Sequence, residues 1–224
     1  MMAIKYRLKD SAHTTYRNAK GERIPGASTI SNILSKPQLV PWANKLGLNG
    51  IEVGKYVDGL ADAGTLAHYL SECVFQGKER DSEIMDEYSK ADLDRATVSF
   101  DKFMDWYSAR KIAVVGSELQ LVSENLQVGG TVDVIAWVDG VFTLIDIKTS
   151  KALYGPGDDK WIQCAGYDLI AEENHYLVDE VRILRLGRDA EEGFEYALMP
   201  HREDQRQLFR LCREVYEVRR RIGR

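Results

Sequence analysis

The chain has 224 residues, 44% of them hydrophobic and 29% charged, with 35 Asp and Glu against 30 Lys and Arg and a formal net charge of −5. That composition excludes a disordered tail, a fibre and a disulfide miniprotein, and the length is that of one folded domain with a sizeable core. The negative balance argues against a nonspecific coat on nucleic acid, where phosphate neutralisation supplies most of the affinity, but it leaves room for an enzyme with a local basic groove. The longest unbroken apolar run, Val134 to Val138, is far short of the ~20 residues of a membrane helix. The stretch MMAIKYRLKD holds no apolar segment long enough for a secretory signal. Cys73, Cys164 and Cys212 lie far apart with no CxxC or Cys/His cluster, so the expected compartment is a reducing cytoplasm.

In chain order, residues 1–26 are polar and punctuated by Gly and Pro, which predicts a short strand or loop around Tyr16 and a turn at Gly21. Ser28 and Thr29 open a short helix through Leu34, and Pro37 and Pro41 interrupt the chain before a helical stretch within 38–49. Residues 56–76 carry a broad apolar face at helical spacing and end at Gly77; 91–110 form a second helix whose aromatic residues belong to the core. The period then changes. Residues 113–123, 128–138 and 141–149 are rich in Val, Ile and Thr and read as three strands. A helix over 158–173, a hairpin of 180–187 with 193–199, and an amphipathic helix over 204–221 complete the order. The expected fold is an α/β sandwich around a mixed sheet, in a single domain spanning 1–224. Within it, 1–55 forms an N-terminal helical and loop region, 56–190 the core and 191–224 a C-terminal strand and helix. The basic cluster from Arg219 to Arg224 reads as a solvated helix end whose cations complement the dipole, with a nucleic-acid tail as the less favoured alternative.

Chemistry concentrates in 129–151. Asp139-Gly140 is the preferred pair for a two-residue hairpin turn, and that turn sets the register: Val138 opposite Val141, Trp137 opposite Phe142, Ile135 opposite Leu144 and Asp133 opposite Asp146. By alternation, Asp133, Asp146 and Lys148 then share one face with Ile135, Trp137, Phe142 and Leu144, while Val132, Val134, Ile145 and Ile147 fill the other, so that both faces are expected to be buried. Two opposed carboxylates repel and raise one pKa unless cations hold them. Lys148 supplies part of that charge and a divalent ion would supply the rest. Taken by itself, an Asp–Lys pair two apart on a strand is also compatible with a surface ion pair; here the charges interrupt what otherwise reads as a central strand.

Asp133 followed across a hairpin by Asp146-Ile147-Lys148 resembles the PD-(D/E)XK nuclease superfamily, and more narrowly its RecB-type and phage-type exonuclease branch. Gly130-Thr131-Val132-Asp133 matches that branch's Gly-x-x-Asp, and Asp146-Ile147-Lys148-Thr149 its Asp-x-Lys-Thr. Gly64-Thr65-Leu66-Ala67-His68 matches its helical Gly-Thr-x-x-His, and Gln163-Cys164-Ala165-Gly166-Tyr167 its Gln-x-x-x-Tyr. Pro25 to Ile30, followed by Leu39 and Trp42, is also similar to phage members. The resemblance spans roughly residues 23–170 in the family's order, with Val132 standing where the superfamily's name has proline.

The resemblance implies a restriction-endonuclease-like core and a metal-dependent exonuclease acting on DNA. Asp133, Asp146 and the Ile147 carbonyl would hold Mg²⁺, an ion suited to oxygen ligands, and Lys148 would orient water or neutralise phosphate charge. His68 joins them as a ligand, and its softer imidazole favours Mn²⁺ as an alternative. Glu118 is either a further acidic group of the site or, like Glu124, a solvated side chain. Gln163 and Tyr167, four apart on one helix face, would grip the strand being cut; a buried helix–sheet contact is the other reading. Lys151 and Lys160 are candidates for phosphate tracking, with surface solvation as the alternative. His13, His175 and His201 stand outside any motif. Some relatives hold an iron–sulfur cluster on four cysteines, which three dispersed cysteines cannot reproduce. With no GxxxxGK[ST] helicase motif, the chain resembles a stand-alone phage or prophage protein of recombination or DNA processing, whose partners would include a single-strand annealing or recombination protein. A structure- or sequence-specific endonuclease on the same fold and a catalytically silent DNA-binding module are the rival readings.

Overall fold

A computed structural model describes residues 14–37, 39–153, 155 and 157–223; His13 lies outside them. A small hairpin of β1 (Tyr16–Arg17) and β2 (Arg23–Ile24) turns at Gly21, whose φ of 79° suits glycine. The short helix α1 (Ala27–Ser31) and α2 (Leu39–Leu48) follow, then α3 (Val53–Gln76), α4 (Ser82–Met85) and α5 (Lys90–Ser108). The strands β3 (Ile112–Ser123), β4 (Val128–Val138) and β5 (Val141–Thr149) come next, then α6 (Asp159–Glu173), β6 (Glu180–Leu186), β7 (Phe194–Leu198) and α7 (Arg202–Ile222). Helix α1 stops three residues before the expected Leu34, and α4 was not anticipated: four residues are too few to show a period.

The five long strands form one sheet in chain order. All neighbours are antiparallel except β5 and β6, which run parallel and are joined through α6. Helices cover both faces. On one side α6 packs with Phe209 and Cys212 of α7 against Val132, Ile135, Leu144 and Ile183. On the other, Leu66 and Leu70 of α3 and Phe100, Phe103 and Trp106 of α5 pack on Val134, Ala136, Ile145 and Ile147. The mixed sheet between helical layers is the α/β restriction-endonuclease-like arrangement expected from the sequence.

Local chemistry sets the boundaries. Ser89 caps α5 by accepting from the Asp92 N–H, Asp158 caps α6 by accepting from Lys160, and Gly77 ends α3 in the left-handed region at φ 61°. The β4–β5 turn places Asp139 at φ 52° and Gly140 at φ 90°, both positive as a two-residue primed turn requires. At its tip one expectation fails. Trp137 is 47% exposed and stacks on Phe142 at 5.1 Å between ring centroids, so this end of the face lies beyond the helical cover rather than inside the core.

Helix α7 is tied to α6 by a buried carboxylate. Asp168 accepts from Arg202 at 2.7 and 2.8 Å, and Arg202 also donates to the Val178 and Asp179 carbonyls. Gly166 lets the two helices meet, since a Cβ there would sit 2.4 Å from the Phe209 ring. Cys73, Cys164 and Cys212 are buried on α3, α6 and α7 respectively.

Candidate active site

The β4–β5 register is the one the hairpin turn predicts from Val138↔Val141 through Val134↔Ile145, and there the ladder stops. Val132 packs with Ile135 on the α6 side, whereas Val134, Ala136 and Val138 pack on the α3 side. Strict alternation would put Val132 with Val134, so the pleat is interrupted at Asp133. The neighbouring strand is irregular at the same level. Glu118 has φ 50° and no cross-strand partner, although Ser117 pairs with Val134 and Leu119 with Val132. The expected common face for Asp133, Ile135 and Trp137 is therefore corrected: Asp133 turns toward α3, where its Oδ2 lies 3.7 Å from Nδ1 of His68. Asp146 keeps to the α6 side with Leu144, close to Cys164, whose thiol pKa is raised by burial and then by the Asp146 charge. The two meet through the backbone, for Asp133 Oδ2 accepts the Ile147 N–H at 2.6 Å.

Two glycines make this convergence possible. A Cβ on Gly64 would lie 2.7 Å from the Thr149 hydroxyl, so α3 can cross the end of β5 only with glycine there. A Cβ on Gly130 would lie 2.8 Å from the Tyr167 ring, so α6 needs the same relief on the opposite face. The four motif segments are thus pairwise neighbours: the Gly64 helix against Thr149, and the Gly130 strand against Tyr167. At the N-terminal side Tyr16 lies over Gly129, and its hydroxyl shares a 2.8 Å hydrogen bond with Thr131.

Burial and mutual repulsion dominate the electrostatics. Asp146 is 1% exposed, and its carboxyl pKa is raised by desolvation against the opposing pull of Lys148. Lys148 donates to Oδ1 at 2.8 Å and lies equally close to Oδ2, but off the hydrogen-bond direction, so Oδ2 has an ionic contact and no hydrogen bond. Desolvation also raises Asp133, with Lys148 and the Ile147 N–H pulling the other way. The Lys148 pKa is raised because its attraction to Asp146 and Asp133 outweighs burial. His68 is pushed down to about 4 by burial and then by Lys148, so its ring is neutral near pH 7 and free to ligate. Glu118 is open to solvent on one side, yet desolvation and then Asp133, Glu72 and Asp146 push it up to about 8.

All of these groups but Asp146, which is buried beside Lys148, line a groove of about 1410 Å³ walled by β1, α3, the β3–β4 pair and the end of α7. His68, Glu118, Asp133, Lys148 and Tyr167 all reach it. Gln163 does not; it sits behind, donating to the Tyr167 hydroxyl at 2.5 Å. Lys151 is exposed outside the groove, and Lys160 turns back to Asp158 at 3.5 Å. His175 and His201 are exposed. Glu72 was missed from the sequence, although it follows His68 by four residues and so shares its helix face. Arg185 was missed as well. It pairs in register with Lys148 and donates to the carbonyls of Ser150, Lys151 and Glu192, pinning the chain that leaves β5.

Among the described residues no group of three or more His, Cys, Asp and Glu closes into a metal cage. The donor set nevertheless fits a hard cation that keeps part of its water shell: a partly buried carboxylate on Asp133, a fully buried one on Asp146 with an Oδ2 that has no hydrogen bond, and a neutral imidazole beside them. A family model for the PD-(D/E)XK nuclease superfamily matches residues 50–223, and the chain belongs to that superfamily. Its members are nucleases that generally use divalent metals such as Mg²⁺. No curated protein matches the chain. Among the described residues no helix is long and apolar enough to cross a membrane.

Proposed function

We propose that this protein is a metal-dependent DNA exonuclease of the RecB and phage type, serving recombination or DNA processing. The observation that carries the reading is the meeting of Asp133, Lys148 and His68 at the head of one groove, with Asp146 paired to Lys148 beneath them, through contacts between the very motifs that resemble that branch. Asp133, Asp146 and the Ile147 carbonyl would hold the ion, with His68 completing the set. The chemistry a divalent ion would supply there is polarisation of the scissile phosphate and a lower pKa for a bound water. Lys148, fixed on Asp146, places its ammonium where charge grows on the phosphate. Tyr167 offers a hydroxyl to a phosphate oxygen or a ring face to a base, and Gln163 orients that hydroxyl from behind. Glu118 stands at the mouth as a proton-holding group, since its carboxyl titrates near neutrality.

End-labelled linear DNA and covalently closed circular DNA, incubated with Mg²⁺, Mn²⁺ or EDTA, test the reading. The expected result is progressive loss from the ends of the linear substrate with either metal, an intact circle, and no reaction in EDTA. Nicking of the circle would make the protein an endonuclease, and binding without cleavage would make it a silent module.

A further inference from the structure

The groove extends beyond the carboxylates. It runs to the far end of α7, where Tyr216 and Arg220 line it together with Thr29 of α1. There a second hollow of about 370 Å³ opens, bounded by the same Thr29, Tyr216 and Arg220 and adding Asn32 and Arg219. Dipole complementation explains cations in the last turn of a helix, but not two of them on one hollow joined to a catalytic groove. The local charge is unbalanced. Glu217 is shared by Arg220 at 3.1 Å and Arg213 at 3.2 Å, and Arg219 makes no ion pair among the described residues. Arg220 keeps 44% of its side-chain surface exposed. Guanidinium groups present a planar fork that matches phosphate oxygens, and a hydroxyl and an amide beside them extend the donor set.

We infer that this hollow is a second phosphate subsite, in which Arg219 and Arg220 hold the backbone of the nucleic-acid strand at a distance from the bond being cut. The inference rests on the nuclease reading above and adds the strand's course, from Lys148 past Tyr16 and Thr29 to the C-terminal turn of α7. It predicts that affinity grows with strand length until the strand spans both ends of the groove.

The test compares binding of a short and a long single-stranded oligonucleotide by fluorescence anisotropy in EDTA, for the full chain, the double variant Arg219→Gln/Arg220→Gln and the control Arg221→Gln. Arg221 sits in the same helical turn but lines neither hollow, so it carries the same charge change without the geometry. In the double variant the advantage of the long oligonucleotide over the short one should fall by about tenfold or more. Its salt slope should drop by about 1.4, from two lost contacts at roughly 0.7 each. The control should retain both. An unchanged length advantage in the double variant, or an equal loss in Arg221→Gln, overturns the subsite. A wild-type protein that neither binds nucleic acid nor hydrolyses a small phosphodiester with Mg²⁺ overturns the nuclease reading itself, and the subsite with it.

Discussion

The two ends of the β4–β5 pair are built to opposite rules. At the hairpin end five consecutive pairs run without a break, the turn residues take the φ values their types favour, and the paired side chains are apolar except Thr143, most of them packed in the core while Trp137 stays exposed. At the other end the ladder stops, Asp133 departs from the alternation, Glu118 is held at φ 50°, and carboxylates crowd against one lysine. Regular pairing satisfies backbone groups and buries surface. Interrupting it turns a polar side chain out of the sheet and into a groove, at a local cost in strain and desolvation that the regular end offsets. Stability and chemistry are therefore separable along the same two strands.

The largest expected effects test that separation directly. Asp146→Asn and Lys148→Met should each reduce DNA cleavage on the order of a thousandfold, the scale of several kcal/mol of lost charge stabilisation, with the urea midpoint little changed. Leu144→Ala, two residues from Asp146 and fully buried, should do the reverse: a loss of about 2–5 kcal/mol of stability, with turnover per folded molecule preserved. Comparable loss of activity and stability in all three variants would show that the two ends are not independent.

A smaller effect concerns the cation. Mg²⁺ should raise the melting temperature of the wild type, because an ion bound only by the folded state stabilises it and here also relieves carboxylate repulsion. Asp133→Asn should abolish most of that rise, read by differential scanning fluorimetry with and without EDTA. An undiminished rise would place the ion elsewhere.

The smallest is a pH effect at Glu118. Its folded pKa of about 8 lies above the ordinary 4.5, so between those values the folded state holds a proton that the unfolded chain has released, and stability falls as pH rises through that window. His68, lowered to about 4 from 6.5, has the opposite sign, but its contribution is complete by pH 6.5. In EDTA the wild-type melting temperature should therefore decline between pH 6.5 and 8, and Glu118→Gln should decline less. Asp133 and Asp146 are also raised by desolvation, so any contribution of theirs has the same sign as that of Glu118. Equal slopes in the two proteins would remove Glu118 from the cluster.

Much of the fold was legible because its signals are local. Period-two runs bounded by Asp139-Gly140 define β4 and β5 to the residue, and the broad apolar face of 56–76 with Gly77 behind it lies almost wholly within α3. The failures have one cause. Alternation assumes an unbroken pleat, so it misplaced Asp133, whose turn toward α3 depends on a helix more than fifty residues earlier in the chain. It also buried Trp137, because no strand pattern shows where the helical cover ends. Glu72 could have been read from its spacing to His68. The role of Arg185 could not, since its partners lie on segments that only the sheet brings together.

The parallel pairing of β5 with β6 has a kinetic consequence. Every other neighbour in the sheet can zip from a connection at its own end, but Asp146 and Lys148 lie opposite Ile183 and Arg185, across a crossover that includes all of α6. Closing such a span is slow compared with forming a hairpin, because the entropy of the intervening chain is lost before the contacts that repay it are made. The β3–β4–β5 meander can assemble early, and the strand that carries the aspartate and the lysine is locked in place only when β6 arrives. A ribosome-bound chain that has not yet released β6 thus lacks the wall that fixes Asp146 and Lys148.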